Sequence, residues 1–130
     1  MEQGGGAFDI DVPAELPLVG LDESQMRQAL LNLLRNAREA GGERVRLMAR
    51  PAEGGVEVSV EDDGAGIPPA DRARIFDLFF TTKKNGTGLG LPLTQQIVVA
   101  HGGTIRCVPP EGGPGTRFVL WWPAWSEPEA

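Results

Sequence analysis

Val56-Glu57-Val58-Ser59-Val60-Glu61-Asp62-Asp63-Gly64-Ala65-Gly66-Ile67 is the stretch that decides the fold. Residues 56–62 alternate apolar and polar side chains, the period of a strand with one face against a core. The strand runs into Asp62-x-Gly64-x-Gly66, where a carboxylate meets a backbone freed of side chains. Upstream, residues 43–51 alternate in the same way. Glu53-Gly54-Gly55 between the two runs reads as a hairpin turn.

Working outward, Asp22 is placed to cap a helix, with Gln25 three residues on as its reciprocal partner. Leu30, Leu33, Leu34 and Ala37 then recur at helical spacing, and Gly41-Gly42 ends the run. Residues 7–12 alternate as a first strand. Pro68-Pro69 opens a short helical segment through Arg74, and 77–87 has no regular period. Residues 89–101 carry a helical pattern stopped by Gly102-Gly103. Two last strands, 104–108 and 116–122, are joined by the glycine- and proline-rich 111–115. The order β, α, β, β, short α, loop, α, β, β predicts an α+β fold. It is a two-layer sandwich, with a mixed, mostly antiparallel sheet and helices on one face. Trp121 and Trp122 fall on opposite faces of the last strand. One belongs to the core; the other is either an edge-strand aromatic or cover for a surface that meets a further domain.

The chain has 130 residues, a formal net charge of −6 and one cysteine. That length makes one domain, 1–130, with loose ends expected at 1–6 and 124–130. The acidic balance disfavours nucleic acid held through phosphate contacts. No apolar run reaches membrane-helix length, and no signal peptide opens the sequence. The lone Cys107 excludes an internal disulfide framework and fits a reducing, cytoplasmic setting. As a side chain it reads as strand filling.

Three further features carry chemistry. Asn32 and Asn36 stand four apart on one helix side. Amide oxygens are neutral hard ligands of the kind Mg²⁺ accepts alongside phosphate oxygens and water, although for the pair in isolation two solvated asparagines are the readier explanation. Asp62 can accept from an exocyclic amine while Gly64 and Gly66 let a flat base approach, which selects adenine over guanine. An acidic strand end entering a glycine turn is the plain alternative. Gly86-Thr87-Gly88-Leu89-Gly90-Leu91 leads into a helix, offering backbone N–H groups and a positive helix end to an anion. It lacks the Gly-Lys-Ser/Thr ending of a Walker loop, and its GxGxG spacing is not a dinucleotide fingerprint.

Asn32-Leu33-Leu34-Arg35-Asn36-Ala37, Asp62-Asp63-Gly64-Ala65-Gly66-Ile67, Phe79-Phe80-Thr81-Thr82-Lys83 and Gly86-Thr87-Gly88-Leu89-Gly90-Leu91 together resemble the N, G1, F and G2 boxes of sensor histidine kinase catalytic domains. The resemblance covers nearly the whole chain and implies a Bergerat-like fold that binds Mg·ATP. It implies that Asn36 ligates the metal and that Asn32 supports metal or phosphate. Asp62 would read the adenine amine in a pocket shaped by Gly64, Gly66 and Ile67, helped by Thr116. Thr82, Gly86, Thr87, Gly88, Leu89, Gly90 and Leu91 would line the nucleotide, and Lys83 would reach the phosphates in preference to Lys84. Asn32 and Lys83 are then the catalytic pair.

Hydrolytic members of the wider superfamily carry a glutamate where this chain has Asn32, and an amide cannot serve as general base. The implied reaction is therefore γ-phosphoryl transfer to a histidine on a separate dimerisation domain, with a response regulator downstream. The single histidine, His101, sits in a His-Gly-Gly helix ending and reads as a structural residue favoured by the helix dipole. The chain thus resembles a catalytic fragment of a longer kinase, whose parent could be membrane-anchored. A nucleotide-binding module without kinase activity, or a weak ATPase, is the alternative. Two departures from the family pattern stand out: Glu39 and Ala40 replace the usual basic-aromatic pair, and the segment between Phe80 and Gly86 is short.

Overall fold

The computed structural model describes residues 7–80, 90–110 and 112–126. Strands β1 (Ala7–Asp11), β2 (Arg44–Ala52), β3 (Gly55–Asp62), β4 (Thr104–Val108) and β5 (Thr116–Pro123) form one sheet. Helices α1 (Glu23–Glu39) and α2 (Gly90–Ala100) and a 3₁₀ turn at Pro69–Asp71 complete the described elements. The sheet order is β1-β2-β3-β5-β4. Only the β1–β2 pair is parallel; β2–β3, β3–β5 and β4–β5 are antiparallel. The α+β sandwich with a mixed, mostly antiparallel sheet is borne out.

The local reasons are visible in each element. Asp22 caps α1 by accepting the Gln25 N–H at 2.9 Å. Ala29, Leu33 and Ala37, four residues apart, form its buried stripe. At the end of α2 the Gly103 N–H reaches the Val98 carbonyl and the Gly102 N–H that of Val99, both at 3.0 Å. This double closure with Gly102 in the left-handed region satisfies carbonyls the helix would leave bare. His101 caps the same end: its Nδ1 donates to the Ile97 carbonyl at 2.7 Å, the structural role read from sequence. The β2–β3 turn has positive φ at Glu53 and Gly54, the primed geometry that matches strand twist.

Leu33, Ala37, Val60, Ile75, Val98, Phe118, Leu120 and Trp122 form the core between helices and sheet. Trp122 is the core tryptophan. Trp121 lies on the other face and donates its indole N–H to the Ala52 carbonyl at 2.8 Å, closing over the β2–β3 hairpin. Because β5 lies between β3 and β4, Trp121 is not on an edge strand. Beyond β5 the chain stays attached: Ala124 donates to Gly54 and Trp125 to Leu18. Residues 124 and 125 are therefore tied to the fold, where the sequence suggested a loose end from 124. Cys107 packs against the core from β4, and burial pushes its thiol up to about 11, so it is a poor nucleophile at neutral pH.

Candidate functional site

Asn32 and Asn36 lie directly beside the buried stripe of α1. The Asn32 side-chain amide nitrogen is buried and meets no acceptor among the described residues. Such a donor left without a partner costs about 1–3 kcal/mol. Among the described residues, no group of three His, Cys, Asp or Glu could hold a metal ion. A cation here would draw on a neutral amide oxygen and on the oxygens of its own ligand. The donor set fits Mg²⁺ held partly by phosphate.

Asp62 closes β3 on the covered face and is 4% exposed. Its Oδ1 accepts the Gly64 N–H at 2.9 Å. Thr116, its register partner on β5, is also buried, and its backbone N–H is a second donor to the carboxylate. Burial raises the Asp62 pKa, and the nearby charges of Asp63 and Glu61 push the same way; the two amides oppose them. A buried carboxylate whose described partners are two amides keeps acceptor capacity for a further N–H donor.

The glycines of this loop answer to the protein itself. A side chain at Gly64 would put its Cβ 2.6 Å from the Ala40 carbonyl oxygen at the end of α1. Gly66 has φ of 81°, and a Cβ there would lie 2.9 Å from the Gly115 carbonyl oxygen. Chain-to-chain approach, which the sequence did not disclose, demands both. Ile67 and Leu91 both pack onto the shared core, which joins the loop after β3 to the start of α2. Gly90 is the first described residue of α2, and a Cβ there would meet no atom of the described residues within 4 Å.

The structure places Asn32 and Asn36 on α1, Asp62 at the end of β3, Gly64, Gly66 and Ile67 in the loop after it, Thr116 at the start of β5 and Gly90 and Leu91 at the start of α2, elements joined by the shared core. Thr82, Lys83, Gly86, Thr87, Gly88 and Leu89 lie outside the described residues, as does Lys84. Sequence reasoning passed over Asp63. Its Oδ1 accepts the Glu43 N–H at 2.8 Å and the Arg44 N–H at 2.9 Å. The Arg44 amide is the main cause holding its carboxyl below the usual aspartate range, opposed by a smaller desolvation effect. A cleft of about 380 Å³ opens between Asp9, Arg44, Arg46 and Glu61, the Asp62-Asp63 pair, and Pro110, Gly112, Gly113 and Pro114. Its charges alternate, and although Asp62 borders it, Asn32 and Asn36 do not line it; the candidate site that joins all three residues is on the covered face.

Residues 21–126 match the family of histidine kinase-, DNA gyrase B- and HSP90-like ATPases. The chain belongs to this family. Within it, the chain is homologous to the catalytic ATP-binding domains of sensor histidine kinases. It is 44% identical over 110 residues to the sensor histidine kinase ZraS of Escherichia coli O157:H7, covering 83% of this chain and 24% of ZraS. The catalytic domain of the histidine kinase ThkA superposes with a TM-score of 0.81 at 34% identity, covering 93% of this chain and 80% of that one. Full-length ShkA in complex with AMPPNP gives a TM-score of 0.81 at 34% identity, covering 95% of this chain and 27% of that one. The chain spans about a quarter of the length of the ZraS it matches.

Proposed function

We propose that this domain binds Mg·ATP and supplies the γ-phosphoryl group to a histidine on a separate dimerisation domain, within a two-component system that ends on a response regulator. The observation that carries the reading is two unmet demands, one on α1 and one at the end of β3, elements that pack on the same core. Asp62 offers a buried acceptor without a described cationic partner, and Asn32 offers a buried donor without a described acceptor. Adenosine triphosphate meets both, with an amine at one end and phosphate oxygens at the other. The analogue-bound relative ShkA supports the ligand class.

In this reading Asp62 accepts the adenine amine, and Gly64, Gly66, Ile67 and Thr116 shape the pocket around it. Asn36 supplies an amide oxygen to Mg²⁺ and Asn32 steadies the phosphates. Mg²⁺, when bound, supplies charge neutralisation at the phosphates. Lys83, Thr82 and the segment from Gly86 to Leu91 complete the phosphate side, with Lys83 ahead of Lys84. Positioning and electrostatic stabilisation are what phosphoryl transfer asks of a protein. Asn32 cannot take a proton from water, so hydrolysis is slow. ATP supply and the reducing fit of Cys107 agree with a cytoplasmic domain. No helix among the described residues is long and apolar enough to cross a membrane.

Incubation with labelled ATP, with and without a histidine-bearing dimerisation domain, tests this. The expected result is no label on the chain alone and acid-labile label on the added domain. A strong label on the isolated chain contradicts it. Binding without transfer to the native partner domain favours a regulatory module, and steady phosphate release abolished by Asn36→Ala favours an ATPase.

A further inference from the structure

Asp62 and Asp63 are consecutive, yet their carboxylates take different partners. Asp62 points into the covered layer, whereas Asp63 reaches back to the connection between α1 and β2. One Asp63 oxygen takes two backbone donors there, Glu43 at 2.8 Å and Arg44 at 2.9 Å. The main chain reinforces it: the Asp63 N–H donates to the Arg44 carbonyl at 3.4 Å, and the Ala65 N–H to the Ala40 carbonyl at 3.2 Å. The fit leaves no slack. A Cβ on Gly42 would overlap Asp63 Oδ1 and sit 2.6 Å from the Gly64 nitrogen. Gly64 in turn lies against Ala40 and donates to Asp62 Oδ1.

One peptide unit separates the two carboxylates. A backbone movement that carries Asp63 away from these amides also shifts the adjoining Asp62 peptide and the Gly64 N–H that aims its carboxylate. The same connection ends the helix bearing Asn32 and Asn36, so the clamp also ties the two ends of the site to one another.

We propose that Asp63 is a positioning residue for nucleotide-base recognition: by clamping the loop after β3 onto the turn that ends α1, it fixes the direction in which Asp62 presents its carboxylate. The proposal rests on the reading of Asp62 as the adenine acceptor. A residue serving stability alone lowers affinity for every nucleotide alike, whereas a positioning residue erodes the preference contributed by the amine.

The test compares calorimetric affinities for Mg·ATP and for purine riboside triphosphate, which lacks the exocyclic amine, in the wild-type chain and in Asp63→Ala, Asp63→Asn and Asp63→Glu. Asp63→Asn keeps an oxygen that both amides can reach. Asp63→Glu keeps the charge but sets it one methylene further out, and is the second variant should Asp63→Ala not fold. The expected result is a wild-type preference for ATP that falls about tenfold, or roughly 1.4 kcal/mol, in Asp63→Ala. Asp63→Glu loses part of the preference, and Asp63→Asn retains it. Amide hydrogen exchange at Glu43 and Arg44 rises in Asp63→Ala and stays slow in Asp63→Asn. Equal loss of affinity for both nucleotides, or a preference that survives Asp63→Ala and Asp63→Glu intact, overturns the proposal alone. A wild-type chain that binds both nucleotides equally overturns the adenine role of Asp62 and this proposal with it.

Discussion

The two faces of the sheet handle charge in opposite ways, and alternate residues of a single strand show it. On β3, Val58, Val60 and Asp62 look toward the helices, while Glu57, Ser59 and Glu61 look away. Away from the helices, opposite charges alternate across the strands: Asp9 registers with Arg46, Arg46 with Glu61, and Glu61 with Arg117. Glu57, though buried, lies 2.9 Å from Arg50 and 3.7 Å from Arg117. Toward the helices, Asp62 has amides for partners, and burial raises its pKa. Compensated charge belongs to architecture. A carboxylate whose neighbourhood disfavours its charge is where a ligand is expected to act.

The sharpest way to break this contrast is to damage the covered face itself. Leu33→Ala removes a fully buried side chain from the core. The expected loss is about 2–5 kcal/mol in chemical denaturation; a loss no larger than that of an exposed substitution would mean the helices are not seated as described.

Asp62 gives the next effect, on binding. Asp62→Asn is expected to weaken ATP by about 1.5–3 kcal/mol, the range for hydrogen bonds to charged groups. The pH dependence has two signs. The raised pKa means the protonated form is favoured in the fold. Its contribution to stability is therefore present at low pH and lost as pH rises through the folded value. Base binding needs the carboxylate, so ATP affinity falls as pH drops through that same raised value, above the usual aspartate range. Calorimetry of the wild type and Asp62→Asn across this range checks the binding arm, and denaturation of both chains over the same range checks the stability arm. Affinity that follows pH identically in the two chains would remove Asp62 from the site.

The smallest effect belongs to the open face. The Arg50 side chain is 68% exposed, and Arg117 remains beside Glu57 when it is removed. Arg50→Ala is expected to cost no more than about 1 kcal/mol, in keeping with solvent-screened pairs. A larger loss in thermal unfolding would make the open face a structural element in its own right.

The sequence alone determined the element order, the Asp22 cap, the β2–β3 turn and the strand alternation that divides the faces. These are local: period, capping chemistry and turn stereochemistry act over a few residues, so they can be read from neighbours along the chain. It also marked Asn32 and Asn36, as two asparagines on one helix side, and Asp62, as a carboxylate at a strand end entering a glycine turn, and the resemblance to the four boxes tied them together. Only tertiary structure decided why Gly64 and Gly66 carry no side chain, which tryptophan fills the core, and that Asp63 grips amides about twenty residues upstream. Those depend on which distant segments touch, and in a close-packed interior that is fixed by shape and hydrogen-bond partnership across the fold.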